Sequence, residues 1–161
     1  MTRKEYSFEF EEYAAINDLL PDDASLLAEA RALTDIAYAP YSKFRVAAVA
    51  MLDNGQVIKG TNQENASYPV GICAERSLMA AAGTLFPGMP IKTMAISYSN
   101  SGNDKHPISP CGMCRQALQE YEERTQTPIR LILSGQSGSV YIIEKASFLL
   151  PLAFSGRELK K

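Results

Sequence analysis

Apolar residues recur along this chain with two periods, one typical of helices and one typical of strands. The pattern predicts a first helix that is capped by Asp22 or Asp23 and runs through Arg31 to about Ala37. The later helices are predicted over Cys73–Ala82 and from Cys111 to about Glu123, with a short docked helix or turn at Ser147–Pro151. The predicted strands are Phe44–Leu52, Gln56–Gly60, Thr93–Tyr98, Ile129–Leu133 and Val140–Ile143. The turn sequence Asp53-Asn54-Gly55 joins the first two strands into an antiparallel hairpin.

A hairpin followed by alternating helices and strands favours an α/β fold. We expect a three-layer α/β/α sandwich around a mixed sheet of about five strands. The length of 161 residues suits one domain with a sizeable core. Residues 23–161 are predicted to form that domain, and residues 1–22 an acidic, aromatic N-terminal extension to which the pattern assigns no role.

The composition is that of an ordinary globular protein, with 46% hydrophobic and 21% charged residues. A formal net charge of −2 gives no field that would attract nucleic acid or an anionic membrane. The sequence has no apolar run of the roughly 20 residues that span a bilayer, and its start does not resemble a signal peptide. Together with an odd number of cysteines, these features favour a reducing cytoplasm.

All three cysteines fall in two short segments, Cys73-Ala74-Glu75 and Pro110-Cys111-Gly112-Met113-Cys114. Three thiols and no fourth protein ligand are typical of a catalytic zinc site, because a structural site closes its fourth position. The chain's one histidine, His106, lies in a polar stretch beside Pro107 and is interpreted as a solvated loop residue. The alternatives are three buried small hydrophobes or a purely structural metal site.

Both cysteine segments are predicted to lie where helices begin, and a helix N-terminus favours thiolate over thiol. Zinc would lower the pKa of a water at the open position. Glu75 stands two residues from a ligand and could transfer a proton as a general acid–base catalyst. Arg76 could hydrogen-bond a ligand thiolate and draw charge from it. The alternative for Glu75 is an exposed first-turn acid that stabilises the helix dipole, and the alternative for Arg76 is a solvated helix charge.

Five segments in order resemble the zinc-dependent cytidine deaminases, specifically the small homotetrameric nucleoside class. They are Tyr38-Ala39-Pro40-Tyr41-Ser42-Lys43-Phe44, Asn62-Gln63-Glu64-Asn65-Ala66-Ser67-Tyr68, Cys73-Ala74-Glu75-Arg76, Pro110-Cys111-Gly112-Met113-Cys114-Arg115-Gln116 and Leu149-Leu150-Pro151-Leu152-Ala153-Phe154. The resemblance covers about Tyr38 to Phe154 and implies hydrolysis of cytidine and 2′-deoxycytidine to the uridine nucleosides and ammonia, as in pyrimidine salvage.

The resemblance also implies a role for each matching residue. The implied zinc ligands, for one ion per chain, are Cys73, Cys111 and Cys114, and the implied proton shuttle is Glu75. The implied substrate contacts are Asn62 and Glu64 to the ribose hydroxyls, the Ala74 backbone N–H to the pyrimidine, Phe44 packed on the substrate, and Phe154 stacked on the base from a neighbouring subunit. The implied partners are therefore a small nucleoside and further copies of the chain in a homotetramer. Arg115 and Gln116 are expected to serve helix packing.

Two features depart from the family pattern. Ala47 replaces the family's usual glycine, and its methyl is expected near the pocket floor. The polar segment Ser99–Ser109 is expected to form a longer loop at the mouth of the site. Three rival functions stay open at this point: a deaminase of another aminopyrimidine or nucleoside antibiotic, a nucleic-acid editing deaminase, and a catalytically inactive zinc-stabilised interaction protein.

Overall fold

A mixed sheet forms the middle layer of the fold in the computed structural model, which describes residues 1–100, 102 and 104–159. Over these residues the sheet has six strands: β1 (Glu11–Tyr13), β2 (Arg45–Leu52), β3 (Val57–Thr61), β4 (Ile91–Ser99), β5 (Arg130–Ser134) and β6 (Val140–Ile143). Their spatial order is β1-β6-β5-β4-β2-β3, with β4 and β5 parallel and the other neighbouring pairs antiparallel. The predicted mixed sheet is confirmed, with one strand more than the expected number.

Helices cover both faces of the sheet, as expected for three layers. They are α1 (Pro21–Leu33), α2 (Ala74–Leu85) and α3 (Gly112–Thr125). On one face Leu27 of α1 packs with Val49 and Ile132 of the sheet. On the other face Leu78 of α2 and Leu118 of α3 share a core with strand residues of opposite orientation. The α/β/α sandwich predicted from the sequence is confirmed.

The first helix begins at Pro21, before the predicted cap at Asp22 or Asp23. Pro21 occupies its first turn and Leu20 precedes it, so neither Asp22 nor Asp23 caps the helix. Both carboxylates instead lie in the first turn, where they stabilise the positive end of the helix dipole. The helix ends at Leu33, and a 3₁₀ turn over Thr34–Ile36 carries the chain onward to Ala37.

Part of the N-terminal extension belongs to the sheet. Strand β1 pairs antiparallel with β6, with Glu11 opposite Ile142 and Tyr13 opposite Val140. This strand could not be predicted from the sequence, because three residues are too few to show an alternating pattern. The division of the chain at residue 22 stays a prediction.

Two further expectations concern the periphery of the fold. Among the described residues, none of the helices combines the length and the apolar character that crossing a bilayer requires. The expected Ser99–Ser109 loop includes positions 101 and 103, which lie outside the described residues.

Candidate active site

Three thiol groups converge where two helices begin. Cys73 precedes the first residue of α2, Cys111 precedes the first residue of α3, and Cys114 lies in the first turn of α3. The Sγ atoms of Cys73 and Cys111 are 3.7 Å apart, and those of Cys111 and Cys114 are 3.6 Å apart. All three sulfurs lie within 4.8 Å of one another.

This donor set fits a tetrahedral zinc ion. Zn–S bonds of about 2.3 Å place two ligand sulfurs roughly 3.8 Å apart at the corners of a tetrahedron, close to the distances found here. Thiolates are ligands that select zinc over hard cations. Within the described part of the chain, this is the one group of three metal-ligating side chains. His106 is exposed and lies outside it, as expected.

The surroundings of the thiols favour ionisation at one of them. The nearby Cys114 thiol, as a proton donor, lowers the pKa of Cys73 to about 6, and the pKa of Cys114 is itself raised. Arg76 adds a smaller electrostatic effect that also lowers the pKa of Cys73. The site therefore holds thiolate character at neutral pH, and a thiolate is the form that binds a metal.

Glu75 lies beside the thiols and is almost wholly buried. Its side chain is 5% exposed, although it lines the same cleft as Cys73 and Cys111. Burial raises the pKa of the Glu75 carboxyl, because a charged carboxylate loses hydration there. A carboxyl whose pKa is raised toward neutrality can both accept and return a proton, as a general acid–base catalyst must.

Close contact between α2 and β3 fixes the position of these groups. A Cβ on Gly60 of β3 would lie 2.5 Å from both the Ala74 carbonyl oxygen and the Leu78 backbone nitrogen of α2. No larger residue allows this separation without a shift of the helix. The sequence alone does not mark Gly60 as a site residue, because it stands at the end of a predicted strand.

A cleft of about 740 Å³ opens in front of the thiols and Glu75. Seven residues that were predicted for the site line this cleft: Phe44, Asn62, Glu64, Cys73, Ala74, Glu75 and Cys111. Cys114 is fully buried behind them. The structure therefore brings together, in one cleft, residues from four of the five sequence segments.

Asn62 joins the floor of the cleft to the start of β2. Its side-chain Nδ2 donates to the Phe44 carbonyl oxygen at 2.9 Å, and its Oδ1 accepts from the Val46 backbone nitrogen at 2.8 Å. The Phe44 ring in turn stacks on Tyr98, with centroids 5.1 Å apart and planes 17° apart. Tyr98 is 2% exposed, so Phe44 rests on a fixed surface.

Glu64 is held at the mouth of the cleft by its neighbours. Its carboxylate accepts hydrogen bonds from the Tyr41 backbone nitrogen at 2.8 Å, the Ser42 backbone nitrogen at 3.3 Å and the Ser42 hydroxyl. The bond from the Ser42 hydroxyl is the main cause that lowers the pKa of Glu64. The carboxylate is consequently charged and oriented over the whole physiological pH range.

Comparison with known proteins agrees with this geometry. The family model for the cytidine and deoxycytidylate deaminase zinc-binding region matches residues 21–127. A cytidine deaminase of Halalkalibacterium halodurans is 33% identical over 138 residues, which are 86% of this chain and 98% of that protein. The chain belongs to the zinc-dependent cytidine deaminase family. It is thus a hydrolytic deaminase of this family, with a zinc ion at its cysteine triad.

Solved structures of relatives share the fold. The crystal structure of cytidine deaminase from Burkholderia pseudomallei superposes with a TM-score of 0.70 at 36% identity, covering 81% of this chain and 97% of that one. The cytidine deaminase from Mycobacterium tuberculosis gives a TM-score of 0.62 at 28% identity, covering 81% of this chain and 94% of that one. These likenesses support the α/β fold expected from the sequence.

Two predicted residues lie apart from the others. Phe154 is 59% exposed and does not line the cleft of its own chain. Arg76 is half-buried and, among the described residues, makes no hydrogen bond or ion pair, so the expected bond to a ligand sulfur is not made here. The roles of both residues stay proposals.

Ala47, which replaces the family's usual glycine, does not lie where it was expected. Val46 lines the cleft, whereas Ala47 does not. Side chains alternate along a strand, so Ala47 shares the face of Val49, which packs against α1. The expectation that its methyl lies near the pocket floor is wrong, because the residue points into the opposite layer.

Arg115 and Gln116 donate hydrogen bonds to backbone carbonyl groups and do not line the cleft. Arg115 donates to the carbonyl oxygens of Pro110 at 2.7 Å and Leu149 at 2.9 Å. Gln116 donates to the Phe154 carbonyl oxygen at 2.9 Å. Both contacts agree with the packing role expected from the sequence.

Proposed function

We propose that this chain catalyses the hydrolytic deamination of cytidine and 2′-deoxycytidine to uridine and 2′-deoxyuridine, with release of ammonia. The observation that carries the proposal is the triad of thiols beside a buried carboxyl, in a cleft that also holds Asn62 and Glu64. Relatives named cytidine deaminase that match over nearly their whole length support the substrate.

Glu75 moves the proton in this reaction. Cys73, Cys111 and Cys114 would hold the zinc ion, which when bound would supply the electrophilic activation that makes water nucleophilic at neutral pH. The Glu75 carboxylate accepts the proton released as water adds to the ring carbon that bears the amine. The resulting acid passes that proton to the neighbouring ring nitrogen. Glu75 then takes the proton of the new hydroxyl on the ring and gives it to the amine, so that the ring carbonyl forms and ammonia leaves.

The other cleft residues orient the nucleoside. Asn62 has one side-chain N–H beyond its bond to Phe44, and Glu64 presents a charged acceptor, so the pair offers a donor and an acceptor to the ribose hydroxyls. The Ala74 backbone N–H lies in the first turn of α2, where it has no partner four residues earlier in the helix, and is proposed to contact the pyrimidine. Phe44 provides an apolar surface for the substrate.

We further propose that the active form is a homotetramer in which Phe154 stacks on the base bound by a neighbouring subunit. The exposed ring, which stands away from its own cleft, supports this proposal. A role in pyrimidine salvage in the cytoplasm follows from a free nucleoside substrate and from ligand thiols that must stay reduced.

The test is the fall in ultraviolet absorbance when zinc-loaded protein is mixed with cytidine or 2′-deoxycytidine. We expect turnover by the wild type, and a loss of about 10²–10⁴-fold in kcat for Glu75→Gln with one zinc still bound per chain. Near-normal activity of that variant would contradict the shuttle role. Turnover of another aminopyrimidine but not of cytidine, in a substrate panel, would favour the rival deaminase instead.

A further inference from the structure

We propose that the N-terminal arm, residues 6–13, is a positioning element for the active site of a neighbouring subunit. It acts through the C-terminal tail, residues 150–159, which carries Phe154. This inference rests on the proposed function, because it assumes that Phe154 completes the site of another copy. The family model begins only at residue 21, so the arm lies outside the part of the chain that the family description covers.

The arm is fixed to the body of its own subunit by aromatic contacts and a short strand. The Tyr6 hydroxyl donates to the Phe148 carbonyl oxygen at 3.1 Å, and the rings of Phe8 and Phe148 stack with centroids 6.0 Å apart. Phe10 packs on Tyr141 of β6 with centroids 4.9 Å apart. These contacts lead directly into β1, which pairs with β6.

Phe148 is the base of the tail. It lies in a single 3₁₀ turn over Ala146–Leu149, and the tail leaves the body immediately after this turn. Tyr6 lines a cleft of about 370 Å³ together with tail residues that include Pro151, Leu152 and Ser155. The arm therefore borders the tail at its root as well as supporting Phe148.

The tail itself is held at its far end by α3. Gln116 donates to the Phe154 carbonyl oxygen, and the Glu123 carboxylate accepts from the Arg157 guanidinium Nε at 2.8 Å and the Gly156 backbone nitrogen at 3.3 Å. Between these anchors the chain bulges outward, with Leu152 in the left-handed region at φ 56°. Leu152 and Phe154 are left projecting from the subunit.

Because the C-terminal tail is anchored at both ends, it presents the Phe154 ring in one place. Arg115 would still hold the Leu149 carbonyl after loss of the arm, but Phe148 at the root of the tail would lose its aromatic support. The thiols, Glu75 and the cleft of the same chain would be untouched. Only a fraction of tails would then hold Phe154 in the competent position, and the apparent KM rises in inverse proportion to that fraction. The defect would appear in the neighbour's site and not in the chain that carries the change.

Phe8→Ser tests this directly, since it removes the stack on Phe148. We expect the KM for cytidine to rise about three- to tenfold, the equivalent of one aromatic pair, with a smaller change in kcat. Phe8→Tyr keeps the ring and should restore the wild-type KM. Val57→Ser is the matched control, because Val57 is 37% exposed against 39% for Phe8 and lies at the other end of the sheet.

Mixed oligomers separate action on the neighbour from action on the same chain. Phe8→Ser chains co-expressed with Glu75→Gln chains should regain a low KM, because the inactive partners supply intact arms and tails to functional sites. Partners that carry both Glu75→Gln and Phe8→Ser should give no such recovery. Recovery with both kinds of partner, or with neither kind, would overturn the inference.

Measurements on the wild-type protein in parallel separate failure of the arm inference from failure of the deaminase proposal. If it turns over cytidine but light scattering shows a monomer, the arm inference is overturned and the deaminase proposal stands. If it does not turn over cytidine, both are overturned. Recovery in the mixed oligomers also shows that the Phe8→Ser chains are folded, since the recovered sites are theirs.

Discussion

Gly60 of β3 lies so close to Leu78 of α2 that a Cβ at residue 60 would stand 2.5 Å from the Leu78 backbone nitrogen. The same atom would stand 2.5 Å from the Ala74 carbonyl oxygen, one turn earlier in the helix. The helix that carries Glu75 and follows Cys73 can therefore occupy its position only because residue 60 has no side chain. This contact relates an ordinary strand glycine to the geometry of the metal site.

Gly60→Ala should displace the start of α2 and weaken both the fold and the site. Overpacking against backbone atoms leads us to expect a loss of about 1–3 kcal/mol in the free energy of unfolding, together with weaker zinc retention. Urea unfolding and metal analysis of the purified protein measure the two effects. Gly83→Ala is the control, because a Cβ there meets only the flexible Arg124 guanidinium, 3.1 Å away. It should be neutral or slightly stabilising. Equal losses in both variants would rule out the close contact as the cause.

Asn62→Asp should loosen the start of β2 and with it Phe44. The change removes the Nδ2 donor to the Phe44 carbonyl oxygen. A carboxylate oxygen then faces that carbonyl oxygen, and neither atom can donate a hydrogen bond. We expect a loss of about 1–3 kcal/mol in unfolding free energy and a higher KM for cytidine. Thermal unfolding and steady-state kinetics check this.

The matched control is Asn54→Asp in the hairpin turn. There the side-chain oxygen accepts from the Gln56 backbone nitrogen at 3.0 Å, and aspartate keeps that bond. This variant should leave stability and KM close to those of the wild type. An Asn62→Asp protein that behaves like the Asn54→Asp protein would show that the amide bridge does not hold Phe44.

Most of the fold and the centre of the site could be predicted from the sequence because their signals are local. Cys73, Glu75, Cys111 and Cys114 lie in two short segments at helix starts, and chain geometry brings those starts together. Gly60 could not be found in this way, since its role depends on a helix that follows it in the chain and packs across the sheet. The bridge from Asn62 to Phe44 is equally nonlocal.

Other residues lay beyond prediction for different physical reasons. Strand β1 is too short for a periodic signal and forms only because β6 offers an unpaired edge. The face of Ala47 depends on strand register, and a shift of one residue reverses it. Arg76 was expected to bond a sulfur, but sequence gives no information on which rotamer a long side chain adopts.

Ser42→Ala should raise the pKa of Glu64. In the wild type the Ser42 hydroxyl bond is the largest cause that lowers this pKa below its ordinary value of 4.5. Because the folded pKa is lowered, the stabilisation from ionised Glu64 is present above the unfolded value and is lost as pH falls through the lower folded value. ¹³C NMR titration of the Glu64 carboxyl should give a pKa below 4.5 for the wild type and a value closer to 4.5 for Ser42→Ala. Identical titrations would exclude the hydroxyl as the cause.

Arg76 is expected to act on the thiolates through its charge. The side chain makes no hydrogen bond with a described residue, yet its charge lowers the pKa of Cys73. Arg76→Gln should therefore weaken zinc binding by about tenfold, at the lower end of the range for residues that tune metal ligands. Arg76→Lys should bind zinc nearly as well as the wild type. Competition with a chromophoric chelator measures both affinities.

Lys92→Gln removes the same charge at the far end of β4 and serves as the control for net charge. It should leave zinc affinity unchanged, because a distant exposed charge is screened by salt. If Arg76→Lys binds zinc as weakly as Arg76→Gln, a directional bond from the guanidinium to a sulfur is the better explanation. If both bind as tightly as the wild type, Arg76 has no part in tuning the metal site. Only a loss confined to the neutral variant agrees with an effect of charge.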